Sequence, residues 1–186
     1  MRRFLLALCA SSLLLVGCGY RFQGSHNPLK ELGIERIYVE QFRNQTYRPG
    51  VEQLFASAMI REIRKSRSFR LVNSKEEADA VLSGVITGAS SDISSVRKVN
   101  IGGGKEVDVA AEFNAVVQCN VSLVDVSGRT LFSQNISSSK IHPGYTETGA
   151  RGATVPLLNE SEQRIAIQFV ASQMMASVYQ RMIDTF

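Results

Sequence analysis

The side chains that could perform chemistry are few and are scattered along the chain. Histidine occurs only as His26 and His142, and the cysteines form no Cys-x-x-Cys pair. A zinc site or a nucleophilic enzyme needs such groups at short, fixed spacings, as in His-Glu-x-x-His or Gly-x-Ser-x-Gly, and neither motif occurs. The acidic residues Glu76, Glu77 and Asp79 are more typical of a solvated loop than of a paired-carboxylate site. These residue types favour a binding or assembly protein over an enzyme.

A glycine-rich stretch at 102–105 resembles a phosphate-binding loop only in part. A P-loop needs Gly-x4-Gly-Lys-Ser/Thr opening a helix, whereas Glu106 and a strand-like pattern follow here. The better interpretation is the tip of a long hairpin that joins 80–99 to 106–125. Three cations lie beside this tip: Arg97, Lys98 and Lys105. They could bind anionic groups such as lipid phosphates, and a merely solvated basic turn is the alternative.

Cys18 ends an apparent export signal. Arg2 and Arg3 precede an uncharged run at 4–16, which is typical of a secretory signal peptide and too short for a membrane-spanning helix. Leu15-Val16-Gly17-Cys18 then resembles the lipobox of bacterial lipoproteins, in which the cysteine sulfur carries a diacylglycerol. With further acylation, such as palmitate, Cys18 would be a permanent tether. The alternative is an ordinary signal peptide, with Cys18 a plain thiol.

The signal divides the chain into three parts. We expect a signal peptide at 1–17, a lipidated tether at 18–33 and a single domain at 34–186. In many Gram-negative bacteria an aspartate directly after the lipidated cysteine retains a lipoprotein in the inner membrane, so Gly19 favours the outer membrane. The formal net charge of +4 falls to +2 when Arg2 and Arg3 are removed, which is too mild to indicate nucleic-acid binding.

Cys119 is predicted to be a core thiol. It lies in a segment, 107–126, where apolar residues alternate with polar ones at period two, and it falls on the apolar side among valines. A thiol in such surroundings stays protonated and unreactive. Because Cys9 leaves with the signal peptide and Cys18 is acylated, Cys119 has no intramolecular disulfide partner.

The remaining pattern predicts an α+β fold. Strands are expected at 34–42, 80–89 and 130–140 besides 107–126, with 90–99 as a polar extension and 69–72 as a short strand or extended link. One helix is expected from Val51, with an apolar stripe of Val51, Leu54, Phe55, Ala58, Met59 and Ile63. A second is expected at 165–183, with Asn159 as N-cap and Glu162 at the third position. Its apolar stripe is Ile167, Val170, Met174, Val178 and Met182. Two amphipathic helices on one face of a small mixed, mostly antiparallel sheet of about four strands bury every apolar stripe.

Short motifs in a fixed order resemble the LptE family of lipopolysaccharide-assembly lipoproteins, over nearly the whole mature chain. They are Cys18-Gly19-Tyr20 with Phe22 and Gly24, Phe42-x-Asn44-x-Thr46, Pro49-Gly50-Val51-Glu52, Ala78-Asp79-Ala80-x-Leu82-x-Gly84, and Leu123-Val124-Asp125 with Gly128. The family fold, two helices on a four-stranded sheet, agrees with the pattern above.

The resemblance implies a non-catalytic, cofactor-free role in lipopolysaccharide transport. Such proteins are lipid-anchored in the outer membrane, face the periplasm, and sit as a plug in the lumen of the LptD β-barrel. They help the barrel to assemble and bind lipopolysaccharide, so the basic side chains would meet the phosphates of lipid A. A lipoprotein of the CsgG/LpoB group, which regulates cell-wall synthesis or takes part in secretion, is the alternative from a different class.

Overall fold

The computed structural model describes residues 28–145 and 156–184. Cys18 and Gly19, the predicted lipid-attachment and sorting residues, lie outside them. The described elements are, in chain order, α1 (Pro28–Glu31), β1 (Arg36–Val39), β2 (Arg43–Asn44), α2 (Val51–Ser66), β3 (Arg70–Leu71), β4 (Ala80–Asn100), β5 (Glu106–Asp125), β6 (Thr130–Pro143) and α3 (Pro156–Asp184).

The strands form one mixed sheet in the order β3-β1-β4-β5-β6, and β2 pairs with β4 beyond the end of β1. The β1–β3, β1–β4 and β2–β4 pairs are parallel and short, whereas the long β4–β5 and β5–β6 pairs are antiparallel. The predicted α+β class with a mixed, mostly antiparallel sheet is confirmed. The described sheet has six strands rather than about four. The strand β3 lies in the stretch 69–72, where the sequence predicts a short strand or extended link, and β2 spans only two residues, too few to show a period-two pattern.

The core lies between the sheet and the two long helices. The predicted α3 stripe is buried throughout: Ile167, Val170, Met174, Val178 and Met182. On α2 the stripe is buried except for Leu54, which is half-buried and packs at the edge of the same core. Each such side chain contributes about 1.5–3 kcal/mol when fully buried, so the two stripes fix both helices on the sheet.

The β4–β5 hairpin is the longest feature of the sheet and has the predicted pairing. Val99 lies opposite Val107 next to the tip, and Leu82 lies opposite Leu123 at the other end. The polar stretch 90–99 is therefore a continuation of β4. Thr87 is an extra residue in the ladder, since Ile86 pairs with Cys119 and Gly88 with Gln118. Such a bulge changes which residues of β4 face the helices: even-numbered ones before it and odd-numbered ones from Ala89 to Ile93, beyond which two further register shifts follow.

The predicted N-cap of the last helix is wrong. The helix α3 begins at Pro156, not near Ile165, and Asn159 lies inside it. Proline suits the first turn of a helix because its fixed φ is already helical and its missing N–H needs no partner there. The Asn159 amide instead binds Tyr145 at the end of β6, where Oδ1 accepts the Tyr145 N–H at 2.8 Å and Nδ2 donates to the Tyr145 oxygen at 3.3 Å.

Candidate functional site

The first candidate site is the tip of the β4–β5 hairpin. Gly102, Gly103 and Gly104 have φ angles of 96°, 62° and 73°, a region that glycine enters without steric cost. The turn is closed by the Ile101 N–H, which donates to the Lys105 oxygen at 3.0 Å. The glycines therefore make a tight turn between strands, as predicted, and do not open a helix.

The structure distributes the three predicted cations around this tip. Arg97 lies opposite Val109, and Lys98 lies opposite Asp108. The Nζ of Lys98 is 3.7 Å from the Glu106 Oε2, and both side chains are largely exposed. Lys105 is exposed in the turn itself. Neighbouring residues of a strand point to opposite faces, so Arg97 and Lys98 flank the tip from opposite sides of the hairpin.

The sheet face away from the helices is polar and carries few charges over its centre. Even-numbered side chains of β5 line it and most of them are polar, although Val116 and Val124 also lie on this face and Asn120 lies opposite Val85 of β4. Ser122 lies between Ser83 and Ser133, and the Ser83 and Ser122 hydroxyls are 3.1 Å apart. Further along, Asn120 lies opposite Asn135. This face is the wet side that the period-two pattern predicted.

The second candidate site is a cleft of about 710 Å³ that sequence reasoning missed. Three separate segments line it: the loop 45–50 between β2 and α2, residues 87–90 of β4, and Glu160, Arg164 and Ile167 of α3. Because these segments are far apart in the chain, no local pattern could bring them together. Val51 and Leu54 at the start of α2 add apolar surface to the lining.

The wall formed by residues 45–50 is held by hydrogen bonds from Asn44. Its Oδ1 accepts the Thr46 N–H at 2.8 Å and the Thr46 hydroxyl at 2.7 Å. Its Nδ2 donates to the Arg48 oxygen at 2.6 Å and to the Glu52 Oε2 at 2.8 Å. These contacts explain the Phe42-x-Asn44-x-Thr46 motif as a loop-forming motif. The conformation of this wall is therefore stabilised by hydrogen bonds within the chain itself.

Glu52 closes the same network at the helix end. The pKa of the Glu52 carboxyl is lowered by hydrogen bonds, first from its own backbone amide and then from Asn44 and the Gly50 N–H. Burial opposes this by raising the pKa. The Gly50 N–H donates to Glu52 Oε1 at 3.1 Å. A carboxylate in the first turn of α2 also complements the positive end of the helix dipole.

The outer part of the cleft carries charge and one aromatic side chain. The Nη1 of Arg48 lies 3.7 Å from the Glu160 Oε1, which joins the loop to α3. Arg164, one turn further along α3, has no ion pair within the described parts of the chain. Tyr47, at the tip of the loop, is fully exposed. The cleft thus combines an apolar floor with a rim of two arginines and one glutamate.

Cys119 is a core residue, as predicted. Its side chain is completely buried on the inner face of β5, and burial raises the pKa of the thiol to about 12. A thiol with such a pKa stays protonated at neutral pH and is a poor nucleophile or metal ligand. Cys119 therefore belongs to the packing of the sheet against the helices and not to either candidate site.

The LptE family model, described as lipopolysaccharide-assembly, matches residues 34–182. The chain belongs to the LptE family. This confirms the resemblance drawn from the motifs, several of which now have structural roles in this LptE-family protein: Asn44 and Thr46 build the loop, and Gly84 admits the ring of Phe42. Within the described residues, no helix has the length and apolar content needed to cross a bilayer.

Comparisons with other proteins add only distant likenesses. No curated protein matches the chain. PelC from Paraburkholderia phytofirmans, solved as a dodecamer, is 17% identical with a TM-score of 0.48, over 77% of this chain and 85% of that one. The rare lipoprotein B from Shewanella oneidensis is 11% identical with a TM-score of 0.45, over 81% and 96% of the two chains. These values leave the assignment resting on the family match.

Proposed function

We propose that this LptE-family protein is an outer-membrane lipoprotein that acts as plug and assembly partner of an LptD-type β-barrel and binds lipopolysaccharide. The family match over 34–182 carries the proposal. The polar outer face of the sheet supports it, because the interior of a large membrane barrel is itself polar. The role needs no catalysis and no cofactor, and the reactive-looking Cys119 is buried in the core.

The proposal is tested by purifying the full-length protein from detergent-solubilised outer membranes. We expect a large, heat-modifiable barrel to co-purify with it. Recovery of a cell-wall synthase, or of a ring made only of this chain, would contradict the proposal and favour the CsgG/LpoB-like alternative.

The N-terminal part of the proposal concerns residues 1–33. We propose that 1–17 is removed as a signal peptide, that Cys18 is acylated, that 18–33 tethers the domain 34–186, and that Gly19 permits sorting to the outer membrane. Two or more acyl chains on one residue give a stable anchor, whereas a single chain holds a protein only marginally.

Replacing Cys18 with alanine should remove the anchor completely. We expect the variant protein to be unprocessed or soluble, because Cys18 is the lipobox position that would both carry the lipid and mark the cleavage site. Incorporation of labelled palmitate, measured in wild type and in the Cys18→Ala variant, checks this. Cys119→Ala is the matched control and should keep its label. Label that still enters the Cys18→Ala protein would refute the assignment.

Lipopolysaccharide is proposed to bind at the hairpin tip through Arg97, Lys98 and Lys105. Changing all three to glutamine should weaken binding about tenfold, which corresponds to about 1.4 kcal/mol. Binding is measured at low salt, where exposed charges interact most strongly. Unchanged affinity in a folded triple variant would remove these residues from the site.

The control for this experiment is a second triple variant with the same loss of charge. Arg64, Lys65 and Arg70 are exposed cations on α2 and β3, outside the hairpin. Their replacement by glutamine should change the affinity much less. If both triple variants weaken binding equally, the effect is that of net charge and not of the tip.

A further inference from the structure

One edge of β4 is open over most of its length. On this edge β1 pairs with β4 as far as Leu82, and β2 continues the pairing as far as Ile86. The strand β4 itself runs on to Asn100. In the parts of the chain that the structure describes, no strand follows β2 along this edge, while β5 pairs with the other edge throughout.

The backbone groups that face this edge can be identified from the paired part of β4. The oxygens of Leu82 and Ile86 accept the N–H groups of Glu40 and Gln45 at 2.8 and 3.0 Å. Both residues face the helices, so in this strand the inward-facing residues direct their backbone groups toward β1 and β2. Along a strand, the side chain and the backbone N–H and C=O groups both alternate in direction from one residue to the next. Residues whose side chains face the same side of the sheet therefore direct their backbone groups to the same neighbouring strand.

After the bulge at Thr87 the inward-facing residues are Ala89, Ser91 and Ile93. They lie opposite Val117, Ala115 and Phe113, which are on the inner side of β5. By the same coupling, their N–H and C=O groups point to the open edge. The residues between them (Gly88, Ser90 and Asp92) direct theirs to β5. With respect to the described residues, the edge therefore offers unpaired donors and acceptors at every second residue, with the spacing of a strand.

The open edge begins in the cleft described above. Residues 87–90 form one side of the cleft, and the loop 45–50 and the start of α3 form the others. The hydrogen bonds of Asn44 and Glu52 hold the loop in its own conformation, and no pairing of the loop with β4 continues beyond Ile86 among the described residues. A side chain from such a strand could enter the cleft beside Val51 and Leu54.

We propose that the cleft and the open edge of β4 form a docking site for an extended segment of a partner polypeptide, which adds a strand beside Ala89–Ile93. Only a peptide backbone presents hydrogen-bonding groups at the repeat that this edge requires, and strand addition is a common mode of peptide recognition. Two arginines against one glutamate at the rim favour a segment that carries an acidic side chain near Arg164. The partner is the LptD-type barrel, an identity that rests on the proposed function.

The test is residue-resolved hydrogen exchange on the full-length protein, alone and in its co-purified complex with the LptD-type barrel. We expect exchange at the Ala89, Ser91 and Ile93 amides to slow at least about tenfold in the complex. The amides of Gly88, Ser90 and Asp92 are the internal control. Because they pair with β5, they should be protected in both states.

A pair of proline variants adds an independent measurement. Ala89→Pro removes one donor from the open edge without breaking the β4–β5 ladder, since that N–H points away from β5. Ser137→Pro makes the same change on the outer edge of β6, where Ser137 lies on the outer face opposite Gln118. Proline is tolerated at such edge positions. We expect Ala89→Pro to reduce recovery of the barrel about tenfold relative to Ser137→Pro, with thermal unfolding as a check that both fold.

The outcomes separate this proposal from the proposed function. If the complex forms but the three amides exchange as in the free protein, or both proline variants behave alike, the docking site is refuted and the barrel partnership stands. If no complex forms, both proposals fail. Protection of the three amides in the isolated protein refutes the docking site as well. If this protection depends on protein concentration, a second copy covers the edge. If it does not, the chain covers its own edge.

Discussion

Replacing Gly84 with alanine is expected to destabilise the fold by about 3 kcal/mol, the upper part of the usual range for overpacking a core. A Cβ atom at this position would lie 2.1 Å from Cε1 of Phe42, far inside van der Waals contact. The ring cannot retreat easily, because Phe42 is almost completely buried and packs against Phe55 with ring centroids 6.1 Å apart. Either the ring leaves its rotamer or β4 moves away from α2.

Urea unfolding of the two proteins measures this effect. The matched control is Gly88→Ala, four residues along the same strand, where a new Cβ would meet Gln118 at an ordinary 3.6 Å. We expect the control to change the free energy of unfolding by less than about 1 kcal/mol. If the two variants are equally stable, the close approach of Phe42 does not explain why glycine stands at position 84.

Replacing Asp79 with asparagine should cost about 2 kcal/mol at neutral pH. The carboxylate joins the start of β1 to the start of β4. Its Oδ1 accepts hydrogen bonds from the Arg36 guanidinium, at 2.6 Å from Nη2 and 3.1 Å from Nε, and its Oδ2 accepts the Glu35 and Arg36 N–H groups at 3.0 and 2.7 Å. Hydrogen bonds from the Arg36 side chain, and then from the two backbone amides, lower the Asp79 pKa from 3.8 to about 2 although partial burial opposes them.

This pKa shift makes the effect depend on pH. A carboxyl group with a pKa of about 2 when folded and 3.8 when unfolded stabilises the folded state above pH 4. The shift corresponds to about 2.5 kcal/mol at about 1.4 kcal/mol per pKa unit, and solvent screening at the half-exposed Arg36 reduces the contribution to about 2 kcal/mol. This contribution is lost as the pH falls from about 4 to about 2. The Asp79→Asn variant should therefore lack this part of the acid destabilisation.

Chemical denaturation at a series of pH values checks the prediction. The control is Glu77→Gln, which removes one negative charge from an exposed side chain two residues before Asp79. It should leave both the stability at neutral pH and its acid dependence nearly unchanged. Parallel pH profiles for wild type and Asp79→Asn would show that the carboxylate is not a stabilising link between β1 and β4.

The helical stripes, the alternation of β5 and the hairpin tip were all predictable, because each depends on residues that are neighbours along the chain. Val170 and Met174 are one turn apart on the same helix face, and Val117 and Cys119 are two residues apart on the same strand face. The structural role of Asp79 was not predictable. Its acidic neighbours indicated a solvated loop, and the partner that changes this interpretation, Arg36, lies 43 residues away.

The sequence by itself determined the period and the apolar side of the long helices and of β5, the turn at Gly102–Gly104 and the family. Only the tertiary structure decided which elements lie side by side. It placed Glu106 and Asp108 next to Lys98, joined Asn159 of α3 to Tyr145 after β6, and built the cleft at the open edge of β4. The physical reason is that side-chain periodicity is a local property of the chain, whereas packing and strand pairing join residues that no local pattern connects.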